Sequence, residues 1–75
     1  MDNLVIGIKR GEQGIKLYLH VDNENQISFS KHPQDATLMT MREAEEFYGI
    51  NGLKFVYPLN DKGVCHYMAE ENKKR

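Results

Sequence analysis

The three histidines and the one cysteine of this 75-residue chain, His20, His32, His66 and Cys65, are its candidate zinc ligands, and Cys65 is its candidate nucleophile. Structural zinc takes four ligands at spacings such as C-x2-C or H-x3-H, and adjacent residues on a strand, as Cys65 and His66 would be, point to opposite faces. A nucleophilic Cys65 would need a base within hydrogen-bond reach, which His20 supplies only if the two strands are neighbours. Cys65 therefore reads as a small, half-buried residue of an end strand. Glu43 and Glu46 form the nearest thing to a carboxylate pair, but acid–base chemistry needs carboxyls desolvated enough for their pKa values to separate, and a short surface helix leaves them wet. The glycine-bearing KRGEQG stretch lacks the G-x4-G-K-[ST] pattern and precedes a strand, so no helix N-terminus stands behind it to bind phosphate. The chain is also too short for a deep pocket. No catalytic residue, metal or cofactor is expected, and the protein is expected not to be an enzyme.

Ten basic and eleven acidic residues leave a net charge of −1, so the total exerts no pull toward nucleic acid or acidic lipid, and any such partner needs a segregated patch. The single cysteine rules out an internal disulfide and fits a reducing cytoplasm. No stretch reads as a signal peptide or approaches the roughly 20 apolar residues of a membrane span, so a membrane partner is not expected.

The residues that must position any site follow from periodicity. Leu4, Ile6 and Ile8 alternate on a first strand, and RGEQG supplies glycines at hairpin distance. IKLYLHV alternates strictly, with Ile15, Leu17, Leu19 and Val21 inward. DNEN is turn chemistry, and QISFS follows as a third strand with Ile27 and Phe29 inward. Pro33 opens a single helical turn, and Leu38 and Met39 return the chain to the core. Thr40-x-x-Glu43 is a capping box before a helix whose buried stripe is Met41, Ala44, Phe47 and Tyr48, with Arg42, Glu43, Glu45 and Glu46 in solvent. Gly49 suits a left-handed helix stop with Ile50 as its apolar contact. LKFVYPL is a further strand with Leu53, Phe55, Tyr57 and Leu59 inward, NDKG a hairpin turn and VCHYM a last strand. The expected fold is α+β, order β-β-β-α-β-β: a small antiparallel sheet of four to five strands with one short helix on one face. Residues 1–68 form the domain and 69–75 a flexible tail.

One short helix leaves the other sheet face uncovered. That face should display Val5 and Lys9, Lys16, Tyr18 and His20, Ser28 and Ser30, Lys54 and Val56, with Tyr67 as a further candidate. It carries no carboxylate, so charge is polarised: acidic helix, basic sheet. Lys9, Lys16, Tyr18, His20, Lys54 and Val56 are the candidate binding residues. Tyr and Val suit a protein partner or a homodimer, and lysine interleaved with tyrosine suits, as the alternative, single-stranded nucleic acid held by stacking and phosphate neutralisation.

The early strand running into IKRG, the YLHVDNENQISFS hairpin, DAT followed by a core residue, and EAEEF leading to LKFV give the whole chain a resemblance to short proteins encoded by phages and prophages of staphylococci and related Gram-positive bacteria. That resemblance implies no catalytic activity, expression inside the bacterial host, and accessory action by binding a host or phage protein. It carries no functional residue across.

Overall fold

A computed structural model describes residues 4–49 and 52–73, with side chains up to Met68. The elements are β1 (Leu4–Arg10), β2 (Lys16–Val21), β3 (Ile27–Ser30), β4 (Met39–Thr40), α1 (Met41–Phe47), β5 (Lys54–Val56) and α2 (Lys62–Lys73). Short 3₁₀ turns at Glu12–Gly14, Pro33–Asp35 and Pro58–Asn60 join them. The sheet is antiparallel throughout, in the order β3-β2-β1-β4 with β5 also pairing with β1. The α+β class and the small antiparallel sheet are as expected from the sequence.

The turns form for the reasons their residues suggest. Gln13 (φ 60°) and Gly14 (φ 76°) reverse the chain between β1 and β2. Asp22 Oδ1 accepts from the backbone N–H groups of Glu24 and Gln26, and Asn25 takes φ 63°. Pro33 starts its 3₁₀ turn at the position where a missing N–H costs nothing. At the head of α1, Thr40 Oγ1 accepts from the Glu43 N–H at 3.1 Å. The Glu43 carboxylate accepts a hydrogen bond from the Thr40 hydroxyl rather than from the cap's backbone N–H. Gly49 does not take a left-handed φ; the turn after α1 places that conformation at Gly52 (φ 89°), and the expected Ile50 contact lies outside the described residues.

Three expectations are corrected. VCHYM is not a strand but part of α2, which runs from Lys62 through Lys73 and so takes in most of the expected tail. Asp61 caps this helix, its Oδ1 accepting from the N–H groups of Gly63 and Val64. Second, both faces of the sheet carry a helix, where one was expected to be left uncovered. Val5, Leu19, Met39 and Ala44 form a core with Met41, Tyr48, Leu53 and Phe55 under α1, while Ile6, Tyr18 and Val64 form another with Ile8, Ala36, Val56 and Met68 under α2. Third, β1 sits one residue out of the expected phase. Its register sets Ile8 opposite Tyr18 and Lys9 opposite Leu17, so Val5 and Lys9 lie on the α1 side and Ile6 and Ile8 on the α2 side. A shift of one residue exchanges the two faces of a strand, and in a strand buried on both sides each phase is apolar.

The ends of the apolar runs also differ from expectation. Phe47 is 66% exposed and Leu59 84%, with Ile15, Ile27, Leu38 and Tyr57 open as well: Tyr57 and Leu59 fall past the end of β5, Ile15 and Leu38 lie just outside β2 and β4, and Ile27 and Phe47 are the first residue of β3 and the last of α1.

Candidate functional site

Directly opposed residues on antiparallel strands share a face. The pairs Ile8–Tyr18, Arg10–Lys16, Ile8–Lys54 and Ile6–Val56 therefore put Arg10, Lys16, Tyr18, Lys54 and Val56 on the α2 side of the sheet, and His20 joins them by alternation along β2. Five of the six candidate residues share this face. Lys9 is the exception: it projects to the α1 side, where its Nζ stands 3.9 Å from the centre of the Phe29 ring as a cation–π contact.

Within that face the candidates separate into buried and open. Tyr18 is 4% exposed, covered by the first turn of α2, and its hydroxyl donates to Asp61 Oδ1 at 3.0 Å. Tyr18 is therefore a core residue with a satisfied hydroxyl, not a surface ring. His20 donates from Nδ1 to the Asp35 carbonyl at 2.8 Å, which ties the Pro33–Asp35 turn down over β2. Ser30, expected in solvent, donates its hydroxyl to Asp35 Oδ2 at 2.7 Å. Val56 is half-buried against Ile6 and Val64. Lys54 is exposed.

Beyond the reach of α2, the same face opens into a cleft of about 230 Å³ lined by Ile8, Lys9, Arg10, Lys16, Gly52, Lys54 and Val56. Ile8 and Val56 give it an apolar floor. Arg10, Lys16 and Lys54 rise from three adjacent strands as a cationic rim, and no carboxylate is among the lining residues. Arg10 and Lys16 face each other directly, an arrangement that like charges disfavour.

Asp61 relieves part of that repulsion. Its Oδ2 receives Lys16 Nζ at 2.8 Å, the one ion pair among the described residues. The carboxylate is only 2% exposed, yet it accepts from Lys16, Tyr18, Gly63 and Val64 together. Burial alone would raise its pKa, but the hydrogen bonds from Lys16, Val64 and Tyr18 and the charge of Lys16 outweigh that and hold it below the ordinary 3.8. Tyr18 moves the other way. Burial first, then the hydrogen bond to Asp61 and its charge, push the phenol up to about 12. Gly63 makes the close approach workable, since a Cβ there would stand 2.8 Å from Tyr18 Oη and 2.9 Å from Pro33 Cγ.

Arg10, Ile8 and Asp61 are the site residues that the sequence did not bring forward. Arg10 and Ile8 were hidden by the phase of β1. Asp61 had a signal: Asp two and three residues ahead of Gly63 and Val64, then Val64 and Met68 at helical spacing and a run of helix formers after them.

Comparison with protein-family models, curated proteins and solved structures finds no match to the chain. Among the described residues no helix is long and apolar enough to cross a membrane.

Proposed function

We propose that the protein is a non-enzymatic binding module that holds an acidic segment of a partner protein in the cleft between Arg10, Lys16 and Lys54. The observation that carries this is the surplus of positive charge over an apolar floor. Three cations converge there, one is neutralised by Asp61, and the other two have no ion-pair partner among the described residues. A segment with carboxylates flanking one apolar side chain matches both features, and charge complementarity of this kind sets specificity and association rate. The setting we propose is the bacterial cytoplasm, and the role that of a phage-type accessory protein acting on a host or phage protein.

Single-stranded nucleic acid remains the alternative for the same cations. With Tyr18 under α2, that alternative has phosphate-neutralising groups but not the ring expected to stack on bases.

The test is capture from a Gram-positive host lysate, with and without nuclease, using the parent protein and an Arg10→Glu/Lys54→Glu variant as baits. The expected result is a protein retained by the parent after nuclease treatment and lost with the variant. Equal retention by both baits refutes the cleft as the contact surface, and retention that vanishes with nuclease transfers the site to nucleic acid.

A further inference from the structure

The surface that best matches this cleft lies on the other side of the same molecule. α1 presents Glu43, Glu45 and Glu46 to solvent, and at its end Phe47 stands 66% exposed, its ring edge-on to Tyr48 at 6.4 Å between centroids. The segment thus places one large apolar side chain among carboxylates. The cleft places an apolar floor among cations. The charges and the apolar elements correspond in kind.

The two surfaces cannot meet within one chain. α1 packs on the face that carries Val5 and Leu19, and the cleft opens on the opposite face, beside Tyr18 and Val64. A strand's thickness of sheet separates them. Any contact between them joins two molecules, and because it uses different patches on each it is heterologous: every copy bound through its cleft still offers its own Phe47.

We propose that the chain self-associates head to tail, with the Phe47 end of α1 from one copy seated on Ile8 and Val56 of the next, and Glu45 and Glu46 against Arg10 and Lys54. This rests on the cleft being a site for acidic segments, and identifies a second copy as one such occupant. In that arrangement α1 competes with any other acidic partner, so the free cleft becomes available on dilution. The contact is small, which places it among weak associations that salt disrupts.

The decisive measurement is sedimentation equilibrium on the parent, on Phe47→Ser and on Arg10→Glu/Lys54→Glu, from about 20 µM to about 1 mM at low and at high salt, a range suited to weak contacts. All three substitutions fall at exposed positions, so circular dichroism should match the parent and the thermal midpoint should not fall below it. The parent is expected to rise in average mass above the 8.7 kDa monomer with concentration, and to fall back at high salt. Each variant alone should stay monomeric. An equimolar mixture of the two variants should form a 1:1 complex that grows no further, since one supplies only a cleft and the other only a Phe47 end. A parent that stays monomeric throughout, association that persists in either variant alone, or a mixture that stays monomeric overturns the proposal. The two readings fail separately: a monomeric parent that still captures a partner through Arg10 and Lys54 removes only self-association, whereas a self-associating parent that captures no other protein removes only the hetero-partner.

Discussion

Asp61→Ala should be among the most damaging single changes at any polar position of this protein, and the structure allows its cost to be divided. The substitution removes the cap of α2, worth about 1 kcal/mol. It also leaves the Tyr18 hydroxyl, in a side chain only 4% exposed, without its acceptor, which costs about 1–3 kcal/mol. The ion pair adds little, because Lys16 is 45% exposed and pairs of that kind contribute at most about 1 kcal/mol. The expected loss is about 2–4 kcal/mol, a large share of what a domain this small possesses. Asp61→Asn separates the contributions: the amide oxygen in the place of Oδ1 still caps the helix and accepts from Tyr18, while the charge and the hydrogen bond from Lys16 to Oδ2 are lost, and because Lys16 is 45% exposed and can turn to water the cost should be about 1 kcal/mol. Urea unfolding followed by far-ultraviolet circular dichroism reads both variants, and with an m value of about 1 kcal/mol/M the midpoint of Asp61→Ala should fall by about 2–4 M. Hydrogen exchange adds a local test, since the amides of Gly63 and Val64 should lose protection in the alanine variant and keep it in the asparagine variant. If Ala and Asn cost the same, or if Ala lies within about 0.5 kcal/mol of the parent, α2 is not anchored through this carboxylate.

The same network sets a pH dependence at both ends. The Asp61 carboxyl is held below 3.8 in the folded chain, so its contribution is present above that value and is lost as pH falls through the lower folded value; in Asp61→Asn the acid arm of a stability–pH curve should flatten. Tyr18 is raised from 10.0 to about 12, so its contribution is complete below pH 10 and disappears between about 10 and 12; Tyr18→Phe should remove that alkaline step in thermal unfolding. Gly63→Ala should destabilise by about 1–3 kcal/mol in denaturant unfolding, although alanine is the better helix former, because the added methyl meets Tyr18 Oη and Pro33. Arg10→Glu should leave the fold unharmed or stabilise it by up to about 1 kcal/mol in the same assay, since it replaces a like-charge pair opposite Lys16 with an attractive one.

What the sequence made legible were features settled within a few residues of chain. The Thr40 cap, the Asp22 turn, the Pro33 turn and the strand at β2 each depend on neighbours in sequence, and each is in place, although Tyr18 of β2 is buried rather than open. What it concealed depended on partners far along the chain. Ile6 and Ile8 alternate with Val5 and Lys9, and only pairing with Tyr18 and Leu17 decides which set faces which helix. Val64, Cys65 and Tyr67 favour strands by propensity, but Val64 and Met68 one helical turn apart find a sheet face to cover, and that packing overrides the preference. The candidate site was legible to the same degree. Lys16, Lys54 and Val56 line the cleft, while Tyr18 and His20 were drawn into the scaffold by the helix and the turn that the sequence did not place over them.

The position of Lys16 shows why the cleft reads as a site rather than as leftover surface. A cross-strand pair of cations is a cost that either residue could remove by substitution, and one glutamate at Arg10 would turn it into a gain. The fold instead commits the buried carboxylate of Asp61 to Lys16 and leaves Arg10 and Lys54 facing the cleft without an ion-pair partner among the described residues. Asp61 is needed in any case to cap α2 and to satisfy Tyr18, so the packing of α2 explains Lys16 completely. It does not explain Lys54, and Arg10 has only a long hydrogen bond of its own, from its guanidinium to the Gly14 carbonyl across the β1–β2 turn at 3.4 Å. Those two charges stand beside the half-buried Ile8 and Val56 without serving the core, and Arg10 also goes against the pairing preference of the sheet, which is where a requirement imposed by a binding partner should be sought.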